Sequence, residues 1–286
     1  MGLQSDLHQL KQLWQAAFGD SMDYVDFYFE RAYSADKTVT RRAGGKIVSA
    51  AQYRHFDIIC GEQMLQGVYI LGVCTYAEYR RKGLAASIVE QIISEQRALG
   101  VDVAFLIPSS AVLFEYYGQL GLERVFTAYE EHATRADLGG GFYEMLTPDV
   151  HVLYDFYTAF YQNLGKAALK DRDFFETVIS GVADFGGCIH VCGCNGEIRG
   201  FAAVEDGVVK EMLCLDAKAR DTLLAQAFEQ IDDEKVNEIK VVYPVGSPAD
   251  AIGGNARVVD IGMAKALSVR CDLDVLRGAY ANLLLN

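Results

Sequence analysis

The chain has 286 residues, 51% of them hydrophobic, which is comfortable for two domains with buried cores. A net charge of −13 argues against a nucleic-acid partner and is compatible with a cationic substrate, and no apolar run approaches the length of a membrane span. Seven cysteines, an odd number without framework spacing, and an N-terminus lacking a charged-then-apolar signal predict a cytoplasmic protein.

Residues 7–18 place Leu7, Leu10, Leu13, Trp14 and Phe18 on one helical face, and Gly19 stops that helix. Residues 23–33 read as a second helix, dense in aromatics. Asp23, Asp26 and Glu30 recur on it at three- and four-residue steps. They can hold an ammonium group, or they are simply the wet face of the helix. A meander follows. Residues 38–42, 46–59 and 64–75 read as three antiparallel strands, turned at Gly44-Gly45 and Gly61-Glu62.

The third strand runs into a short basic loop, Arg80-Arg81-Lys82-Gly83, and then a helix over 84–99. Ala85, Ile88, Val89, Ile92 and Ile93 form its apolar stripe, and Gly100 ends it. A helix N-terminus carries unpaired N–H groups and partial positive charge. Gly83 permits close approach and three basic residues precede the first turn, an arrangement that suits a pyrophosphate. Residues 101–107 are a continuous apolar run, expected as a central strand parallel to the third. A short aromatic helix near 113–117 follows, closed by Tyr117-Gly118-Gln119-Leu120-Gly121, and 123–135 reads as a strand pair completing the first sheet.

Gly139-Gly140-Gly141 is the best linker. Helices are expected over 149–164 and 172–179, with Asp149 and Asp171 as caps. Strands over 188–194, 197–205 and 208–215 are joined by Asn195-Gly196 and Asp206-Gly207 turns, then a helix over 218–231 and a strand over 238–242. The second half thus repeats the order of the first: two helices, a three-strand meander, a helix and a strand. Between its third strand and its helix stands Asp216-Ala217-Lys218-Ala219-Arg220-Asp221, without glycine and with mixed charge. The second half reads as a degenerate copy. Cys188, His190, Cys192 and Cys194 alternate onto one strand face, but about 20 Å of strand separates the ends, so they cannot share one ion. They read as small fillers of a sheet face, and no metal is expected.

Arg80-Arg81-Lys82-Gly83-Leu84-Ala85, with a strand before it, a helix and strand after it and then Tyr-x-x-x-Gly, resembles the Arg/Gln-x-x-Gly-x-Gly/Ala signature of the GCN5-related N-acetyltransferases. The resemblance implies a mixed α/β fold, acetyl-CoA as cosubstrate and a primary amine as acceptor. By the resemblance, the pyrophosphate lies on Arg80, Arg81, Lys82, Gly83, Leu84, Ala85 and Ala86. The pantetheine arm pairs with the backbone of Val73, Cys74 and Thr75, which makes Cys74 a packing residue rather than a nucleophile. Ser110 stands where relatives carry an arm-binding Asn, with Val112 and Leu113 beside it. A backbone N–H near Val73 would hold the tetrahedral oxygen, and Tyr117 would protonate the leaving thiolate, with Tyr116 the competing assignment. No general base stands out among Glu115, Asp26, Glu30, His55 and the carboxylate of Asn286.

The tandem order resembles the "enhanced intracellular survival" branch of that family. It implies a catalytic domain at 1–138, a degenerate GNAT-like domain at 139–262, and a short tail at 263–286. Gly262-Met263-Ala264-Lys265-Ala266-Leu267 resembles the strand that introduces a third domain in that branch. Members act on aminoglycosides, polyamines or lysine side chains, and they assemble. A cationic acceptor and a homo-oligomer are therefore expected, with no nucleic-acid or membrane partner. The rival reading is a non-catalytic acyl-CoA-binding protein on the same fold.

Overall fold

The computed structural model describes residues 2–139, 141–231 and 237–282. Helix α1 (Gly2–Phe18) turns its apolar stripe of Leu10, Leu13 and Trp14 inward. Gly19 stops it in the left-handed conformation. Helix α2 (Met22–Arg31) starts where the Ser21 side chain accepts from the amide of Tyr24, and it buries Val25, Tyr28 and Phe29. The expected meander is present as β1 (Thr38–Ala43), β2 (Lys46–Cys60) and β3 (Gln63–Thr75). Helix α3 (Leu84–Ala98) leads into β4 (Val103–Leu106), shorter than the apolar run it comes from, and α4 (Ala111–Gln119) follows.

β3 is buried on both faces, which is why its sequence lacks polar alternation. Val68 and Ile70 meet Ile88, Val89 and Ile92 of α3, while Tyr69 and Leu71 belong to the opposite core with Trp14 and Tyr28. β3 also carries a bulge. Gln52 pairs with Leu71 and Ala50 with Cys74, so Gly72 and Val73 together oppose Ala51. Gly72 has φ +58°, the conformation that a glycine bulge requires.

The second half supplies β6 (Glu144–Met145), α5 (Val150–Leu164), β7 (Lys166–Leu169), α6 (Arg172–Asp184), β8 (Cys188–Cys194), β9 (Glu197–Glu205), β10 (Val208–Cys214), α7 (Ala217–Gln230) and β11 (Glu238–Pro244). Asp149 and Asp171 cap α5 and α6 by accepting from the amides of His151 and Phe174. Both hairpin turns have their first two residues at positive φ, Asn195-Gly196 and Asp206-Gly207.

Two expectations are corrected. Residues 123–135 do not form a strand pair: Glu123–Thr134 is one strand, β5. Its sequence holds no Gly, Pro or Asn at which a hairpin could turn. Nor does the 262–267 segment leave the fold. It ends strand β12 (Arg257–Ala266), which inserts between β4 and β5, antiparallel to each. Asp102 fastens this return. Its carbonyl accepts from Leu267 and Ser268, and its carboxylate accepts from Ser268 Oγ at 2.6 Å. The boundary expected at 262 therefore falls inside a strand. Beyond it come helix α8 (Leu273–Leu276) and Tyr280, which is buried and exchanges backbone bonds with β7.

Among the described residues the strands form a single sheet in the order β1-β2-β3-β4-β12-β5-β11-β10-β9-β8-β6, with β7 on the end of β2. β5 and β11 join the two halves through seven antiparallel pairs, Glu238 with Thr134 to Pro244 with Ala128.

Candidate active site

β3 and β4 pair in parallel over only three positions, Gly67 to Tyr69 with Val103 to Phe105. Beyond them the strands part, because β4 ends at Leu106 while β3 runs on to Thr75. The gap opens into a cleft of about 470 Å³. β3 contributes the bulge residues Gly72 and Val73, the far side contributes Ile107, Leu113 and Tyr117, and α1 with the turn to α2 forms the roof.

The N-terminus of α3 lies at the end of β3. Its cap is Gly83 at φ +75°, which supplies no side chain, and no acidic residue stands in its first turn. The amides of Leu84, Ala85 and Ala86 thus lack a side-chain cap, and a positive end is left open to an anion. Arg81 also has positive φ, +60°. Arg80 donates from Nε to the Thr75 carbonyl at 3.0 Å, which fixes the loop to the strand end. Lys82 lies over the Tyr79 ring. Among the described residues the Arg81 guanidinium has no hydrogen-bond or ion-pair partner, and it is exposed.

The corresponding helix end in the second half is occupied by the chain itself. Asp216 caps α7, accepting from the Ala219 amide at 2.9 Å, and pairs with Arg199 at 2.6 Å. The linker crosses the same turn: Gly139 N–H donates to Asp221, and Tyr143 OH to Asp216. Nearby, Glu131 is buried and accepts from Arg220, from Tyr243 OH at 2.7 Å and from Gly253 N–H at 3.0 Å. Carboxylates therefore surround the N-terminus of α7.

Tyr117 is buried against Phe114 and Leu122 yet lines the cleft. Burial, and after it the neighbouring Tyr116, pushes its hydroxyl above the ordinary tyrosine range, so it holds its proton at neutral pH. Tyr116 sits edge-on to Tyr117 with centroids 5.1 Å apart, and it does not line the cleft. Ser110 begins α4, is exposed and makes no side-chain cap bond. Val112 is exposed and Leu113 lines the cleft. Cys74 is buried, donates weakly to the Ala50 carbonyl and is pushed up to about 12 by burial, so it remains a thiol.

The remaining candidates lie elsewhere. Asp26 is on the exposed face of α2, 2.7 Å from Lys11 Nζ; Glu30 shares that face, and neither lines the cleft. Glu115 pairs with Arg124, and His55 meets Gln96 at 2.7 Å. Asn286 lies outside the described residues. His190 bonds Gln230, Cys192 is buried against the Ala219 carbonyl, and among the described residues no cluster of His, Cys, Asp and Glu is arranged to hold a metal. Sequence reasoning missed Asp20, whose carboxylate lines the cleft and accepts from the Trp14 indole N–H at 2.7 Å. Asp20 stands in a turn outside either helical period, so no pattern marked it.

Residues 3–125 match the family model of the acetyltransferase (GNAT) domain, a span that includes every cleft residue named above. No curated protein matches the chain. Solved structures do. A GCN5-related N-acetyltransferase from Anabaena variabilis is 14% identical with a TM-score of 0.70, over 93% of this chain and 71% of that one. A probable N-acyltransferase from Enterococcus faecalis is also 14% identical, with a TM-score of 0.69 over 92% and 71%. Eis1 from Mycobacterium abscessus is 12% identical, with a TM-score of 0.62 over 93% and 72%. At these identities the likeness is one of fold.

Proposed function

We propose, from the premise that this chain is an acyltransferase whose residues 3–125 form a GNAT acetyltransferase domain, that it moves the acetyl group of acetyl-CoA directly to a primary amine. The observation that carries this reading is the uncapped α3 N-terminus with its unpaired Arg81, set at the end of two parting strands whose gap contains Tyr117. The amides of Leu84, Ala85 and Ala86, with Arg80, Arg81 and Lys82, hold the pyrophosphate. Ser110 and Leu113 border the pantetheine arm, which lies along Val73, Cys74 and Thr75 as an added strand.

The amine attacks the thioester carbonyl in its neutral form. The new C–N bond places charge on the carbonyl oxygen, and the backbone N–H of Val73, at the bulge, stabilises it. Collapse breaks the C–S bond and Tyr117 gives its proton to the departing sulfur. The amine's own proton leaves through water. The same reading makes the part of the second half built around α7 a degenerate GNAT-like unit that holds no CoA, supported by the Asp216 carboxylate at its helix end.

Thiol release from acetyl-CoA with a set of amines, on wild type and Tyr117→Phe, tests the reading. Amine-dependent release that falls in the variant while acetyl-CoA still binds is expected. Binding without release would favour a non-catalytic acyl-CoA-binding protein, and absence of binding would remove the α3 assignment.

A further inference from the structure

The cleft has two sides. The parting strands and Tyr117 make one, and under the acetyl-transfer reading, on which this inference rests, the thioester arm fills it. The other side is left for the acceptor. It consists of Trp14, Ala17 and Phe18 of α1, Asp20 in the turn, and Tyr24 of α2. Among the described lining residues Asp20 is the only charged side chain.

Trp14 sets the character of this wall. Its ring stacks on Tyr28 at 4.6 Å and packs against Phe18 at 4.9 Å and Phe29 at 5.7 Å, which fixes its plane. Trp14 is only 6% exposed, and its N–H is satisfied by Asp20 Oδ2, so the edge of the indole that reaches the cleft is apolar. The same bond orients the Asp20 carboxylate and leaves its second oxygen for a cation. The apolar surface continues outward. Phe18 is 47% exposed, Met22 37% and Phe185 39%, and Phe185 meets Tyr24 edge-on at 5.2 Å. Large apolar side chains left in water around a concave site mark the surface that a ligand covers.

A polycation needs several carboxylates at its spacing, and this wall offers one. Asp23, Asp26 and Glu30 lie on the exposed side of α2, and Asp26 is already paired with Lys11. Glu205, the other carboxylate acting on Tyr24, does not line the cleft. We infer that the acceptor is a single primary amine on an apolar, aromatic body: Asp20 receives it as the ammonium, which gives a proton to water before the neutral amine attacks, and Trp14, Phe18 and Tyr24 hold the body. The acidic net charge of the protein draws cations in general, but the cleft selects among them by apolar contact.

The test uses the full chain, with 2-phenylethylamine, spermidine and an aminoglycoside as probes. Two readouts run in parallel: thiol release from acetyl-CoA, and emission of Trp14, the single tryptophan. Phenylethylamine should saturate both readouts, with kcat/KM about tenfold or more above spermidine and the aminoglycoside, a ratio within reach of apolar pocket contacts. Asp20→Asn keeps an acceptor for the indole N–H, so it should raise KM for phenylethylamine about tenfold while leaving acetyl-CoA affinity unchanged. A preference for spermidine or the aminoglycoside overturns the inference and leaves acetyl transfer standing. Turnover of phenylethylamine without any change in Trp14 emission also overturns it. If no amine releases thiol, a saturable Trp14 response to phenylethylamine supports the acceptor site while acetyl transfer fails. No response to it sinks both.

Discussion

Trp14 stands in the space that a side chain on Gly72 would need. A β-carbon built at Gly72 would lie 2.5 Å from Trp14 Cζ3 and 3.2 Å from Cη2. The backbone there is at φ +58°, so a substitution is strained as well as crowded. The contact joins α1 to the β3 bulge that turns Val73 into the cleft. Trp14 is itself held by Asp20 and Tyr28, so roof and bulge pack against each other through this one ring.

Gly72→Ala should therefore lower stability by about 2–4 kcal/mol, the combined scale of overpacking and a forced left-handed residue. Trp14 must move, so its emission should shift in the folded variant. Acetyl-CoA affinity should change little, because the α3 N-terminus is not touched, while kcat falls with the misplaced Val73 amide. Urea titration, emission spectra and calorimetric binding check the three parts. Unchanged emission in a folded variant would show that the Trp14 contact does not hold the bulge.

The two helix ends that follow β3 and β10 predict opposite outcomes. Among the described residues Arg81 has no partner to lose, so Arg81→Ala should leave stability unchanged and weaken acetyl-CoA binding tenfold to a hundredfold, roughly the scale of a charge-assisted contact. Asp216→Ala removes a cap and the Arg199 pair. It should cost about 1 kcal/mol or more in stability and leave one CoA bound per chain. Titration calorimetry reads both the affinity and the stoichiometry. A second CoA bound by the Asp216 variant would mean that the carboxylate alone had been blocking a working site.

Tyr117 gives a pH prediction whose sign follows from burial. Its pKa is raised, so the proton-donating form persists through neutral and mildly alkaline pH. Loss of this proton should not limit kcat below the ordinary tyrosine pKa of about 10. Tyr117→Phe should lower kcat about 10²- to 10⁴-fold with acetyl-CoA affinity kept. A kcat that declines through pH 8 to 9 in wild type, and not in the variant, would mean that the bound cosubstrate lowers this group. Equal kcat in both proteins would remove the acid assignment.

Local signals were legible where they are self-contained. The stripe of α3, the caps Asp149 and Asp171 and the Asn195-Gly196 turn each depend on residues adjacent in sequence, and each stands as expected. The position of β12 depends instead on two open strand edges, β4 and β5, that the chain laid down more than a hundred residues earlier. Nothing in Arg257–Ala266 itself specifies those partners. The candidate site divides the same way. The basic loop and Tyr117 follow from order along the chain, whereas Asp20 becomes a cleft residue only when α1 closes over the bulge at Gly72. The acidic residues that periodicity did mark, Asp26 and Glu30, lie on the opposite face of α2.

Lys170 and Glu211 tie the second half to the returning C-terminal segment, and both are 1% exposed. Lys170 Nζ is 3.5 Å from Glu211 Oε2 and donates to the Asn282 carbonyl at 2.5 Å, while Tyr161 OH donates to Glu211 Oε1 at 2.5 Å. Glu211 Oε2 has no hydrogen bond among the described residues, so Lys170 is its main compensation. Burial depresses the lysine's pKa against the pull of Glu211, which marks the pair as poorly solvated. Lys170→Met would leave a buried carboxylate with no cation beside it, held only by Tyr161, and should cost about 3–5 kcal/mol. Adding Glu211→Gln removes that charge and still offers Tyr161 an acceptor, so the double variant should recover more than half of the loss. Urea titration of the wild type, the two single variants and the double variant measures the coupling. Strictly additive losses would mean that the two residues stabilise the fold separately, through packing rather than as an ion pair.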